Sequence, residues 1–432
     1  MAIQTRIETG RPTFQKTTLD NGLRIFTSAM PHVRSVTINL LVGVGSRYES
    51  DDRAGISHVV EHLVFKGTTE RPTPADISGT IEGVGGVINA GTEQELTVYW
   101  CKVARPYMEE SIDLLIDMVR NSVYSKEELE RERMVVVEEL GMVNDYPNYK
   151  ADAMIDEMLW PAQPLGRDIA GTRETVMAMT RDMVVDHVER HYSPSNIVIS
   201  IAGNVDHDDV VRYIDAISHD WQPHATPGWT PFTGSQAAPA ARLEYRKTEQ
   251  AHLCIGLPAL SVTHPDRFIV DLMSVILGEG MTSRLFMEVR ERRGLAYDIH
   301  SEVSYFRDCG AMVINAGVDP KRLHNAVEVI LAEVARLRQG VPSDELQKAK
   351  RLSTGRLMLR MEDTKSVSAW MGTQELLLGK VLEVEQVVES INAVTEQDIQ
   401  RLAGQLLVEK GLNVAVVGPS KAARKLESLL KL

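Results

Sequence analysis

Two histidines and a glutamate fall within five residues of one another in the run GISHVVEHLVFKG: His58, Glu61 and His62. The apolar spacing of this run predicts a helix ending at Gly67, and on a helix His58 and His62 lie one turn apart on one face. Two imidazoles so spaced can hold one Zn²⁺, and a carboxylate at the adjoining position can hold a water against it. The bland alternative is an amphipathic helix with two incidental histidines. A reactive zinc needs three protein ligands and one open position, so a third ligand decides between the two readings. A second helical run, SKEELERERMVVVEEL from Ser125, carries Glu132 and Glu139, seven residues and therefore two turns apart on one face. Glu128, Glu130 and Glu138 read as a solvated acidic face, whereas Glu139, 77 residues after His62, reads as the third ligand.

The elements that must position these side chains alternate irregularly along the chain. SVTINLLVGVGS, ELTVYWCKV and HLCIGLPAL are rich in β-branched and aromatic residues and read as strands. Segments 106–121, 125–143, 265–277, 321–338 and 343–360 have helical periodicity, and Ser125 with Glu128 predicts a capping box. The stretch 221–242 is dense in Pro, Gly, Thr and Ala, without a hydrophobic period, and reads as a linker between residues 1–220 and 243–432. The halves look duplicated. A helix opening at Thr180 leads to NIVISIAG ending at Gly203, and a helix opening at Thr395 leads to LNVAVVG ending at Gly418, 23 residues in both cases. The expected fold is α+β: two tandem, internally repeated domains, each a mostly antiparallel sheet with helices packed on one face.

Composition narrows the function. With 43% hydrophobic and 25% charged residues, the chain has material for a large core. A net charge of −13 argues against nucleic acid and against an anionic membrane surface. No stretch approaches the ~18 uncharged apolar residues of a membrane span. Cys101, Cys254 and Cys309 are far apart and form no CxxC, which fits a reducing compartment. The N-terminal run MAIQTRIETGRPTFQK has no apolar signal core, so a bacterial-type cytoplasmic location is expected, although a trimmed mitochondrial matrix protein would look the same.

HVVEH followed by Glu139 resembles the pitrilysin, insulin-degrading enzyme and mitochondrial-processing-peptidase family, the inverzincins, and most closely its short bacterial members. TLDNGLRIF, GGVINAGTEQELTVY, HYSPSNIVISIAGNVD and LGEGMTSRLFMEVRERRGLAYDIHS resemble it in the same order. The resemblance implies a zinc metalloendopeptidase with one Zn²⁺ per chain on His58, His62 and Glu139. It implies Glu61 as general base and Glu132 as the residue that orients the site. Arg290 and Tyr297 match a pair that reaches from the second domain to substrate and developing oxyanion. Asn89 and Ala90 match the start of the strand whose edge pairs with the peptide.

The repeat offers an internal comparison. Matching Leu129 to Leu346 puts Ala349 opposite Glu132 and Arg356 opposite Glu139, so only the first half can bind zinc. Family members of this length resemble half of the long single-chain enzymes. Two chains are therefore expected to pair around a chamber that admits short or unfolded peptides. A homodimer is preferred. An obligate heterodimeric processing peptidase, or a non-catalytic structural subunit of the same fold, is the alternative.

Overall fold

The computed structural model describes residues 14–234, 236–419 and 426–432. Most of the N-terminal run read above for targeting, residues 1–13, lies outside these. The first half begins β1 (Phe14–Thr18), β2 (Arg24–Ala29), β3 (Ser35–Val42), α1 (Ile56–Val64), α2 (Pro74–Glu82), β4 (Val87–Thr92) and β5 (Thr97–Ala104). It continues through α3 (Met108–Asn121), α4 (Lys126–Asp145), α5 (Pro147–Leu159), α6 (Arg173–Ala178), α7 (Arg181–His191), β6 (Ile197–Gly203) and α8 (His207–Ser218). The second half opens with β7 (Ala240–Tyr245), β8 (Ala251–Ala259), α9 (Arg267–Gly278), β9 (Ala296–Tyr305) and β10 (Gly310–Val318). It closes with α10 (Leu323–Leu337), α11 (Ser343–Arg360), α12 (Thr364–Leu378), α13 (Val384–Ala393), α14 (Glu396–Leu406) and β11 (Asn413–Gly418).

The sheets run β1-β2-β6-β3-β5-β4 and β7-β11-β8-β10-β9. Setting β1 aside, the two have the same order, and in each a single parallel pair, β2 with β6 and β7 with β11, joins an otherwise antiparallel ladder. The duplication read from two helix–strand pairs therefore extends to the whole topology. Thr180 and Thr395 are the N-caps of α7 and α14, each hydroxyl accepting a backbone N–H of the first turn. The capping box expected at Ser125 forms only halfway: Ser125 Oγ accepts from the Glu128 N–H at 3.2 Å, but the Glu128 carboxylate turns outward to Arg131. The linker ends earlier than expected. Ala240–Arg242 already pair with β11, because AARLEY continues as a strand.

Strand alternation explains the layers. Val36, Ile38, Leu40 and Val42 of β3 point to a core closed by the helices of the first half, and the equivalent face of the second sheet is covered by α9, α10, α11, α13 and α14. The opposite face of each sheet takes one helix from the other half. Met361, Val367, Met371 and Leu376 at α12 pack on Phe26, Leu41 and Val198 of the first sheet. Ala151, Met154, Ile155 and Leu159 of α5 pack on Cys254, Val313 and Val417 of the second. The α12 contact is also hydrogen-bonded, Thr37 to Thr364 at 2.8 Å and Asn39 to Ser368 at 2.7 Å, which pairs these four buried polar side chains. Gly372 permits this approach: a Cβ there would stand 2.3 Å from Leu41. Cys101, Cys254 and Cys309 are buried free thiols. Among the described residues no helix is long and apolar enough to cross a membrane.

Candidate metal centre

Helix α1 begins at Gly55, in the left-handed region at φ +92°, and the buried carboxylate of Glu49 accepts the N–H groups of Gly55 and Ser57, both at 2.8 Å. Burial pushes Glu49 up to about 7 despite these hydrogen bonds. Ile56, Val59, Val60 and Leu63 of α1 enter the core, which turns His58, Glu61 and His62 toward the opposite face. Helix α4 crosses there, burying Leu129, Val136 and Val137 and presenting Glu132 and Glu139.

His58 Nε2 and His62 Nε2 lie 3.3 Å apart, and Glu139 Oε2 lies 3.7 Å from the first and 3.5 Å from the second. These three atoms are drawn from the single such convergence of His, Cys, Asp or Glu among the described residues, all within 4.8 Å of one another. Donors about 2.0–2.1 Å from a tetrahedral centre lie about 3.3–3.4 Å from each other, so the spacing fits one Zn²⁺ with a fourth position free. The donor set, two imidazoles and one carboxylate, fits as well. Glu132 Oε2 meets His62 Nδ1 at 3.0 Å, which directs the Nε2 lone pair of His62 toward the centre. His58 Nδ1 is buried without a hydrogen bond among the described residues.

The electrostatics are divided. Burial, then the neighbouring His62, pushes His58 down to about 4. Burial opposes the charge on His62 too, but the Glu132 hydrogen bond and the charges of Glu139, Glu132 and Glu61 leave its pKa raised. Burial favours the neutral form of Glu132, yet His62 and Lys66 hold it below the usual carboxylate range. Glu61 is raised, chiefly by burial, and is opposed by a 2.6 Å hydrogen bond from Thr92 Oγ1 to its Oε2. Thr92 and Lys66 escaped the sequence reading. Lys66 was visible as the residue four after His62, whereas Thr92 reaches Glu61 only through the tertiary fold.

The remaining expected residues sit on edges. Asn89 and Ala90 are on β4, the outer strand of the first sheet, and the Ala90 N–H donates to the side-chain Oδ1 of its own neighbour, Asn89, at 2.7 Å. Arg290 lies in a π-helical segment, Phe286–Arg292, with its guanidinium 5.2 Å from the Tyr297 ring and 4.7 Å from Phe286. Tyr297 is 75% exposed on β9, the outer strand of the second sheet and the counterpart of β4. The structure thus brings Arg290 and Tyr297 to each other, but gives them no hydrogen bond or ion pair to His58, Glu61, His62, Glu132 or Glu139. In the second half Ala349 is buried, and Arg356 forms a 2.8 Å ion pair with Glu279. A cavity of about 950 Å³ borders Val137, Leu140 and Gly141 of α4, but none of the three converging ligands lines it, and the donor geometry is the better guide to chemistry.

Residues 24–173 match the family model described as insulinase (peptidase family M16), and residues 178–353 match that of the peptidase M16 inactive domain. An uncharacterized zinc protease of Streptomyces coelicolor is 37% identical over 421 residues, 96% of this chain and 91% of its own length. The chain belongs to peptidase family M16. A second M16-like relative, the uncharacterized zinc protease YmxG of Bacillus subtilis, is 34% identical over 406 residues, 93% of this chain and 98% of its own. A protease from Helicobacter pylori shares the fold at a TM-score of 0.89 and 20% identity, covering 95% of this chain and 100% of that one. A chain of complex III from Candida albicans shares it at 0.85 and 18%, covering 97% and 100%. The chain is thus a short bacterial-type M16 member of the α+β class.

Proposed function

We propose that this M16 member is a zinc-dependent endopeptidase acting on short or unfolded peptides, with one Zn²⁺ per chain held by His58, His62 and Glu139. The observation that carries the reading is the convergence of His58 Nε2, His62 Nε2 and Glu139 Oε2 at tetrahedral-edge separations. Bound there, zinc supplies a Lewis acid that polarises the scissile carbonyl and acidifies water. Glu61 accepts the proton of the attacking water and later gives it to the leaving amine nitrogen. Burial raises its pKa, which favours holding the proton it must carry to the amine. Glu132 keeps His62 oriented through Nδ1. The open edge of β4 at Asn89 and Ala90 offers backbone groups to an extended peptide, which binds without reading side chains.

Arg290 and Tyr297 are assigned to the substrate and the developing oxyanion. Because they cluster with one another rather than with the ligands of their own chain, we assign them to the site of a second copy. The pair of chains then encloses a chamber in the cytoplasm that excludes folded proteins.

Cleavage of an unstructured, quenched fluorescent peptide of about 10–20 residues tests this reading. The native chain expressed alone should cleave it, and Glu61→Gln should lose at least ~100-fold in turnover while still binding zinc. A zinc-loaded native chain that cleaves no member of a peptide panel defeats the homodimeric enzyme, leaving a missing partner subunit or a structural role.

A further inference from the structure

Glu132 is 5% exposed, and its two oxygens have different partners. Oε2 meets His62 Nδ1 at 3.0 Å, and Oε1 meets Lys66 Nζ at 2.8 Å. The terminal torsion of a glutamate is broad, so a carboxylate anchored through one oxygen can swing. Anchored through both, its plane is set. Among the described residues no other cation apart from His62 lies within 4.0 Å of Glu132, and a carboxylate this buried needs a charged partner to offset its lost hydration.

The backbone is built to deliver Lys66 there. Helix α1 ends at Val64, the Lys66 N–H still reaches the Leu63 carbonyl at 3.0 Å, and Gly67 then turns the chain at φ +137°. A Cβ at Gly67 would stand 2.6 Å from the Pro72 carbonyl oxygen, so this turn requires glycine. Lys66 is thereby pinned between a helix end and a fixed turn, with its side chain 27% exposed and its Nζ on Glu132 of α4.

We infer that Lys66 is a positioning residue of the metal centre, acting through Glu132 to fix the orientation of His62; this rests on the zinc reading above. Lys66 touches neither a ligand atom nor the Glu61 carboxylate. It holds Glu132, Glu132 holds Nδ1 of His62, and the Nε2 lone pair is left facing Glu139 and His58. Among the described residues His58 Nδ1 has no hydrogen bond, so of the two imidazoles it is that of His62 which is held from behind.

The test is zinc affinity, measured at one pH by competition with a chromophoric chelator, on the full chain. Lys66→Met, which keeps the aliphatic stem, should bind zinc about 10–100-fold more weakly, and Lys66→Arg should stay within about threefold of native. In a Glu132→Gln background, Lys66→Met should change the affinity by less than about threefold, because its route to the metal has already been cut. The inference is overturned if Lys66→Met binds as the native chain does, or if it loses the same factor in the Glu132→Gln background. Should Lys66→Met melt before native, Lys66→Gln carries the same cycle. A native chain that binds no zinc overturns the metal reading itself, and this inference with it.

Discussion

Thr92 donates its hydroxyl to Glu61 Oε2 across 2.6 Å, tying the end of the β4 edge strand to the proposed base on α1. The bond opposes the burial that raises Glu61, and catalysis needs Glu61 ionised. Removing the donor therefore lifts the pKa further. Thr92→Val should move the acid limb of the kcat/KM profile to higher pH, with activity recovering on the alkaline side and a total loss smaller than the ~100-fold of Glu61→Gln. An unmoved limb would remove Glu61 from the role of base.

Glu139 and Glu132 are alike in sequence but should separate in metal binding. Glu139→Gln takes a charged donor out of the converging set, whereas Glu132→Gln only weakens the support behind His62. Glu132→Gln should cost about 10–100-fold in zinc affinity and Glu139→Gln clearly more. Equal affinity for Glu139→Gln and the native chain, in a chelator competition, would show that the third ligand lies elsewhere.

Behind α1, the rings of His187 and His191 lie with centroids 4.7 Å apart, tilted at 42° to one another, and both are nearly inaccessible. Burial, before any charge, pushes His187 down to about 3 and His191 to about 4 from an ordinary 6.5. Between those values the unfolded chain binds protons that the folded chain refuses, so stability falls as pH falls. The metal-free melting temperature should decline from pH 6.5 toward 4, and His187→Gln should decline less steeply. Parallel slopes would mean that other groups govern the acid limb.

Arg47 is fully buried between Glu95 and Asp308, each at 2.6 Å, and lies over the Trp229 ring at 4.1 Å. Its partners come from the first half, the connecting segment and the second half. Arg47→Met would leave two carboxylates without their cation, and denaturant unfolding should register a loss of about 3–5 kcal/mol. A loss under about 1 kcal/mol would mean that this node is more hydrated than its burial indicates.

The spacing of His58, Glu61 and His62 was legible because a helix converts sequence intervals directly into a shared face. Glu139 was legible because seven residues from Glu132 is two turns. Arg47 was not. The sequence reading gives Arg47 no role, and only the tertiary fold reveals that this arginine has lost all contact with water. Thr92 was hidden for the same reason. The sequence reading marks no helix at α5 or α12, whose apolar and polar residues are weakly segregated, and even a clear helical pattern would not say which sheet receives them. The crossing of these helices between halves depends on how the chain returns, and local pattern carries no record of that.

That crossing constrains how the molecule can be made. When synthesis reaches residue 220, every strand of the first sheet exists, yet Phe26, Leu41 and Val198 still lack the helix that seals them, because Thr364–Leu378 has not been translated. The nascent first half must wait with an uncovered apolar surface through some 150 further residues, during which aggregation or a chaperone competes for it. The two halves are therefore not independent folding units placed in tandem. Each is a template the other completes, and the chain matures only when its C-terminal part threads back.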